Sequence, residues 1–206
     1  MASSTAGVTF RDLRMSEEEF VVWCDGSIPA EWVDGCVVVK EPVSDDHDDL
    51  QWWLRNLLQF YVAAKGLGTV RGPQFVARLA VPRSRREPDI LFVGRERTGA
   101  FRKTHLEGPP DLAMEIVSPE SETRDRHDKF REYAVAGVRE YWIVDPMLRT
   151  VEAWAHDGTG YTPIPERNDR LESRVVPGWY VRPAWLWTEP RPGVLAALAE
   201  LGIRVT

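Results

Sequence analysis

Two carboxylates in the 206-residue chain stand alone in apolar surroundings: Asp89 heads the run Asp89-Ile90-Leu91-Phe92-Val93, and Glu115 interrupts Leu112-Ala113-Met114-Glu115-Ile116-Val117. Burying an unpaired carboxylate costs several kcal/mol, so Glu115 requires a cation or hydrogen-bond donors beside it. A divalent metal is one such cation. Mg²⁺ takes one or two protein carboxylates, completes its shell with water and phosphate oxygens, and lowers the pKa of an attacking water. If the two strands are neighbours, Asp89 and Glu115 converge on one such ion. Side chains two and four apart share a strand face, so Asp111 points the same way as Glu115. Lys129, in the first half of the following helix, lies one position off the apolar stripe, on the helix margin near the sheet. There it could stabilise charge building on a phosphate. Its spacing from Asp125, four residues earlier, is that of a surface ion pair, the commoner role for a helix lysine.

These groups need a frame, and the flanking patterns supply one. Ser16-Glu17-Glu18-Glu19 is a capping box ahead of Phe20, Val21 and Val22, which predicts a short helix and places the start of order at Ser16. Ala30 to Val33 and Cys36 to Lys40 flank Asp34-Gly35, a dipeptide that tolerates the positive φ angles of a tight hairpin. Asp45 to Lys65 has acidic residues in its first turn and apolar residues at Leu50, Trp53, Leu54, Leu57, Leu58, Tyr61 and Val62, the spacing of an amphipathic helix that Gly66 terminates. Strands are predicted over Val70 to Val81 and Asp89 to Val93, joined by a basic turn containing proline. A loop over Gly94 to Pro110 comes next, with at most a short helix, and then a buried strand from Leu112 to Val117. A helix over Glu122 to Ala136 stops at Gly137. Strands at Glu140 to Val144, Thr150 to Ala155 and Gly160 to Pro163 form a meander. A short strand near Val175 and Val176 and a helix from about Val194 to Leu201 end the chain. The order predicts an α/β class, a mixed sheet flanked by helices.

Length and a 43% hydrophobic content suit one domain over residues 15–206, preceded by a loosely ordered segment over residues 1–14. No run is long and apolar enough for a membrane span and the first residues lack an apolar leader core, which predicts a cytoplasmic protein with no membrane partner. Cys24 and Cys36 lack metal-ligand spacing and read as buried thiols. A net charge of -6 excludes a protein that coats nucleic acid through bulk positive charge. Local basic stretches, Arg83, Arg85 and Arg86 or Arg95, Arg97, Arg102 and Lys103, could still touch phosphates or be solvated loops.

With these residues in view, the chain resembles the Uma-two family of restriction endonucleases within the PD-(D/E)XK nuclease superfamily. The resemblance is carried by EEF, EWVDGCVVV, the helix start at His47, EPDILFV, PDLAMEIVSPES, RDRHDKFREYAVAGVREYWIVDP, TVEAW and VPGWYV, from about Met15 to Trp187. It implies a restriction-endonuclease-like PD-(D/E)XK core with Asp89 and Glu115 as the two acidic residues. The superfamily's usual lysine, two residues after the glutamate, is Val117 here, and the resemblance maps that role to Lys129 in the next helix. Glu31, His47 and Asp111 also match family positions as accessory residues; Asp111, after Pro109-Pro110, suits a structural hydrogen-bonding role as well. The implied mechanism has Asp89, Glu115 and the Ile116 carbonyl hold Mg²⁺ or Mn²⁺, with Lys129 orienting the attacking water or stabilising charge on the phosphate. The partner is nucleic acid, DNA first, and cutting both strands of a duplex suggests a homodimer. The alternative is a binding or regulatory module that keeps the fold with little or no catalysis.

Overall fold

The computed structural model describes residues 13–24 and 28–204. Ser16 caps helix α1 (Glu17–Trp23) as the capping box requires, its side chain accepting from the Glu19 amide. Order starts earlier than Ser16, because the Val37 amide donates to the Leu13 carbonyl and Arg14 bridges Cys36. The rest of the segment expected to be loose, residues 1–12, lies outside the described residues. Strands β1 (Ala30–Val33) and β2 (Cys36–Val39) form the expected hairpin, with Asp34 at φ 45° and Gly35 at φ 91° in its turn. Cys24 and Cys36 are half-buried rather than buried, and Cys24 Sγ donates to the Ile28 carbonyl at 3.7 Å.

Helix α2 (Asp45–Lys65) starts at Ser44, whose side chain accepts from the His47 amide, and ends at Gly66 in the left-handed region. Its seven predicted apolar positions all face the core. Two stretches differ from expectation. The single strand predicted over Val70 to Val81 is broken at Gly72-Pro73 into β3 (Gly68–Arg71) and β4 (Val76–Ala80), which belong to different sheets. The basic turn after it is strand β5 (Arg83–Arg86), paired with both β1 and β4, with Ser84, Arg85 and Arg86 buried. Charge made it read as solvent-exposed, but buried carboxylates on other elements satisfy those guanidiniums.

Strand β6 (Ile90–Gly94) begins directly after Asp89, and the loop beyond it holds a 3₁₀ turn (Arg95–Ala100) and a short strand, β7 (His105–Glu107). Strand β8 (Leu112–Ile116) is wholly buried. The next helix begins with a π turn (Arg124–Lys129) that runs into α3 (Phe130–Ala136) and stops at Gly137, φ 82°. The meander is β9 (Glu140–Asp145), β10 (Thr150–His156) and β11 (Tyr161–Pro163). Val175 and Val176 lie in a loop between β12 (Leu171–Glu172) and β13 (Tyr180–Val181), although Val176 is buried. Helices α4 (Pro183–Trp187) and α5 (Val194–Glu200) complete the chain.

The strands form a six-stranded sheet, β11-β10-β9-β8-β6-β3, a five-stranded sheet, β2-β1-β5-β4-β7, and a two-stranded sheet, β12-β13. In the larger sheet β8 lies between β6, antiparallel, and β9, parallel. Helix α3 makes the crossover between the parallel pair. One face of the sheet packs Leu112, Met114, Ile116 and Trp142 against α2 and the C-terminal helices. The other face packs Ala113, Val117, Tyr141 and Ile143 against Tyr133 of α3 and Ala77 and Leu79 of β4. Each fully buried large apolar side chain contributes roughly 1.5–3 kcal/mol, so β8 is fixed from both sides. Glu115 therefore sits at a rigid place.

Candidate active site

The antiparallel register pairs Ile90 with Met114, which brings Asp89 and Glu115 to the same end of adjacent strands. The Ile116 amide donates to Asp89 Oδ2 at 2.8 Å, and Gln51 Nε2 from α2 donates to Asp89 Oδ1 at 3.1 Å. Both carboxylates reach a cleft of about 540 Å³ whose lining also includes Lys40, His47, Arg124 and Lys129. The two strands thus do what their sequences predict.

Lys129 is buried deep against this floor, not on a helix margin. Its Nζ lies 2.8 Å from Glu115 Oε2, 3.2 Å from Asp125 Oδ1 and 3.6 Å from Glu31 Oε1. The pair with Asp125 exists as its spacing suggests, but both partners are 2% exposed. Lys129 closes the π turn and stands four residues before the buried Tyr133, so the two share the helix face turned towards the sheet. Glu31 comes from β1 behind Lys129, where it also accepts from Arg86 Nη1 at 2.7 Å and the Glu87 amide at 2.8 Å. Arg86 in turn pairs with Glu132, and Arg85 with Glu17. These arginines are consumed inside the protein and do not touch a phosphate.

His47 joins the group. Its Nε2 lies 2.9 Å from the Ile116 carbonyl and 3.4 Å from Asp89 Oδ2. A carbonyl only accepts, so Nε2 carries the hydrogen, and Nδ1 is buried without a partner. Asp111 does not join. At the far end of β8, on the order of 13 Å from Glu115 along the strand, it accepts from the Gly94 amide at 2.8 Å, Arg97 at 2.8 Å and Arg139 at 3.3 Å. It locks the strand entrance, and Arg97 is spent on it.

Burial favours the neutral form of every carboxylate here, and the neighbours decide which one yields. For Glu31, burial is outweighed by Lys129, Arg86, Lys40 and the Glu87 amide, so its carboxyl is held well below the usual range. For Asp89, burial is outweighed by His47, with help from Lys40 and Lys129, and it too is lowered. Burial pulls His47 down, but Asp89 and the Ile116 carbonyl leave it above its ordinary value. Lys129 stays charged, because Asp125, Glu115 and Glu31 together overcome its burial. Glu115 is the group that yields: burial, reinforced by Asp125, Asp89 and Glu31, prevails over Lys129 and pushes it up to about 8.

The carboxylates lining the cleft outnumber its lysines and arginines. Asp125 Oδ1 is buried and accepts no hydrogen bond, although the Lys129 ammonium is near. Among the described residues no three His, Cys, Asp or Glu side chains form a ready cage. Two carboxylates and the Ile116 carbonyl opening on a cleft nevertheless fit Mg²⁺ or Mn²⁺, which bind through few protein oxygens. Sequence reasoning missed Gln51, which lies one helical turn after His47 on the same face of α2. It also missed Tyr133, whose hydroxyl donates to Glu115 Oε1 at 2.8 Å and which stands four residues after Lys129.

A family model described as "Uma2: Putative restriction endonuclease" matches residues 17–184. Among solved structures the chain is similar to one described as a putative nuclease belonging to DUF820 from Anabaena variabilis ATCC 29413, with a TM-score of 0.72 and 15% identity. The match covers 84% of this chain and 97% of that one, and at this identity it shows the shared fold. The search of curated proteins finds no match.

Proposed function

Because the chain belongs to the Uma2 family of putative restriction endonucleases, we propose that it is a divalent-metal-dependent endonuclease that hydrolyses phosphodiester bonds in DNA. The observation that carries the reading is the meeting of Asp89 and Glu115 on paired strands at a cleft floor, with the Lys129 ammonium 2.8 Å from Glu115.

Asp89, Glu115 and the Ile116 carbonyl would hold Mg²⁺ or Mn²⁺. When bound, such an ion polarises the scissile phosphate and lowers the pKa of the attacking water. Around it the chain's own groups set geometry and charge. Gln51 and the Ile116 amide fix the Asp89 carboxylate, and His47 Nε2–H fixes the Ile116 carbonyl. Tyr133 keeps its phenolic proton, since burial and Glu115 push its pKa far up, and orients Glu115 from below. Lys129 keeps a positive charge at the cleft wall, where it stabilises negative charge developing on a phosphate. His47 Nδ1, lacking a partner, is able to accept a proton in the cleft. Glu31 serves by holding Lys129, and Asp111 has no part in the chemistry.

A substrate panel tests this reading: end-labelled duplex DNA, single-stranded DNA, RNA and a simple phosphodiester, each with Mg²⁺ or Mn²⁺. Duplex DNA is expected to be cut, and Glu115→Gln to abolish cutting. Cleavage of RNA or the simple diester alone would replace the substrate; no cleavage of anything would sink the reading. The second reading, a binding module with little catalysis, draws on Lys129 already occupying a cation's place between Glu115 and Asp125. Calorimetric titration with Mn²⁺ separates the two, because the module binds none.

A further inference from the structure

A second pocket, sharing no residue with the cleft, lies just past the β11 edge of the larger sheet. It has a volume of about 400 Å³, and its lining includes Arg167, Arg170, Arg174, Asn168 and Glu172. Arg167 and Arg170 face each other across a two-residue turn, each amide donating to the other's carbonyl, at 2.9 and 3.0 Å. The turn residues Asn168 and Asp169 have φ of 52° and 59°, the tight hairpin geometry that sets directly opposed side chains on one face. Like charges directly opposite repel, so an anion between them would be favoured.

The surroundings do not supply that anion. Among the described residues, no carboxylate lies within 4 Å of the Arg167 or Arg174 guanidinium. Arg170 is stacked 4.2 Å over Tyr180, and its Nε is buried without a hydrogen-bond partner. The nearest carboxylate to Arg170, Glu200, is 3.8 Å away and already bound by Arg182 at 2.6 Å. Glu172 is the pocket's one carboxylate against three arginines. The loop is also held in shape: the Arg174 and Val175 amides both donate to the buried Glu140 carboxylate. A concave cluster of planar donors on a backbone held in place matches a phosphate group.

We propose that this pocket binds a backbone phosphate of the nucleic acid, as an anchoring contact apart from the cleavage cleft, an assignment that rests on the nuclease reading for its choice of ligand. Strand β11, at the edge of the larger sheet, is three strand spacings, about 14 Å, from β8, so the pocket is a contact separate from the cleavage cleft. In a chain of net charge -6 such a local cation cluster would supply affinity that the acidic cleft does not.

The test is fluorescence anisotropy with a short labelled duplex, without divalent metal, over a range of salt, on wild type and on the double variant Arg167→Ala/Arg174→Ala. Both side chains are exposed, so the variant keeps the wild-type thermal midpoint. The dissociation constant is expected to rise about tenfold, and the slope of log affinity against log salt to fall by about 0.9, from one lost phosphate contact. Unchanged affinity and slope would overturn the proposal. So would arginine-dependent binding of inorganic phosphate or a mononucleotide with none of the duplex. Duplex binding that depends on these arginines in a protein that cuts nothing supports the pocket while the nuclease reading fails. Cutting by wild type and double variant alike, with unaltered binding, does the reverse.

Discussion

Replacing Lys129 by methionine keeps the aliphatic stem and removes the ammonium, leaving Glu115, Asp125 and Glu31 facing one another away from water. Removing one partner of a buried ionic group costs about 3–5 kcal/mol, so Lys129→Met is expected to lower the urea midpoint by that equivalent as well as any activity. A stable but inactive variant would assign Lys129 to chemistry alone. Glu115 gives a pH signature. Its ordinary value is 4.5 and burial raises it to about 8 in the folded chain, so its contribution to stability is full below 4.5 and is lost as pH rises to 8. Metal-free wild type is expected to lose more stability than Glu115→Gln over that window, as measured by urea denaturation; parallel curves would contradict the assignment. At this scale the two carboxylates were legible because a charge in an apolar strand is anomalous on its face. Gln51, Tyr133 and Asp125 were not, since polar residues on helices are ordinary until a fold shows what they face.

Among the elements, the helix that begins with the π turn brings Asp125, Lys129 and Tyr133 to the site. Deleting the exposed His127 removes one residue from that turn and should restore an α-helical path through this segment. Far-UV circular dichroism is then expected to stay helical while thermal stability falls, because Asp125, before the deletion, loses its register with Lys129 after it; unaltered stability would show that the π turn is incidental. The elements with strong local chemistry were readable in advance: the Ser16 capping box, the Asp34-Gly35 hairpin, and α2 with its Gly66 stop. Strand β5 was not readable, because Arg83-Ser84-Arg85-Arg86 comes after a proline and is highly charged. It is buried only because Glu17, Glu31 and Glu132 arrive from other parts of the chain. The same limit applies to Lys129, which is buried because Glu31 and Glu115 from two strands and Asp125 from its own helix meet it.

For the whole molecule, the sheet holds Asp89 and Glu115 on two neighbouring strands, while α2 and the π turn close in from either side with Gln51, His47 and Lys129. Cutting both strands of a duplex needs two such sites, so we propose a homodimer. Light scattering is expected to give twice the 23.5 kDa chain mass, and a monomer that still makes double-strand breaks would remove the reason for it. The fold class could be read from the order of elements, since helices between strands require a sheet covered on its faces. The separation of its two larger sheets could not, because it depends on the break at Gly72-Pro73. The central claim is that the Asp89 and Glu115 floor cleaves phosphodiesters with a divalent metal. Its most direct test is nicking of supercoiled plasmid by wild type and Asp89→Ala with Mg²⁺ or Mn²⁺, each also run with chelator. The account predicts nicking by wild type alone and none with chelator; equal nicking by both proteins, or nicking that survives the chelator, would contradict it.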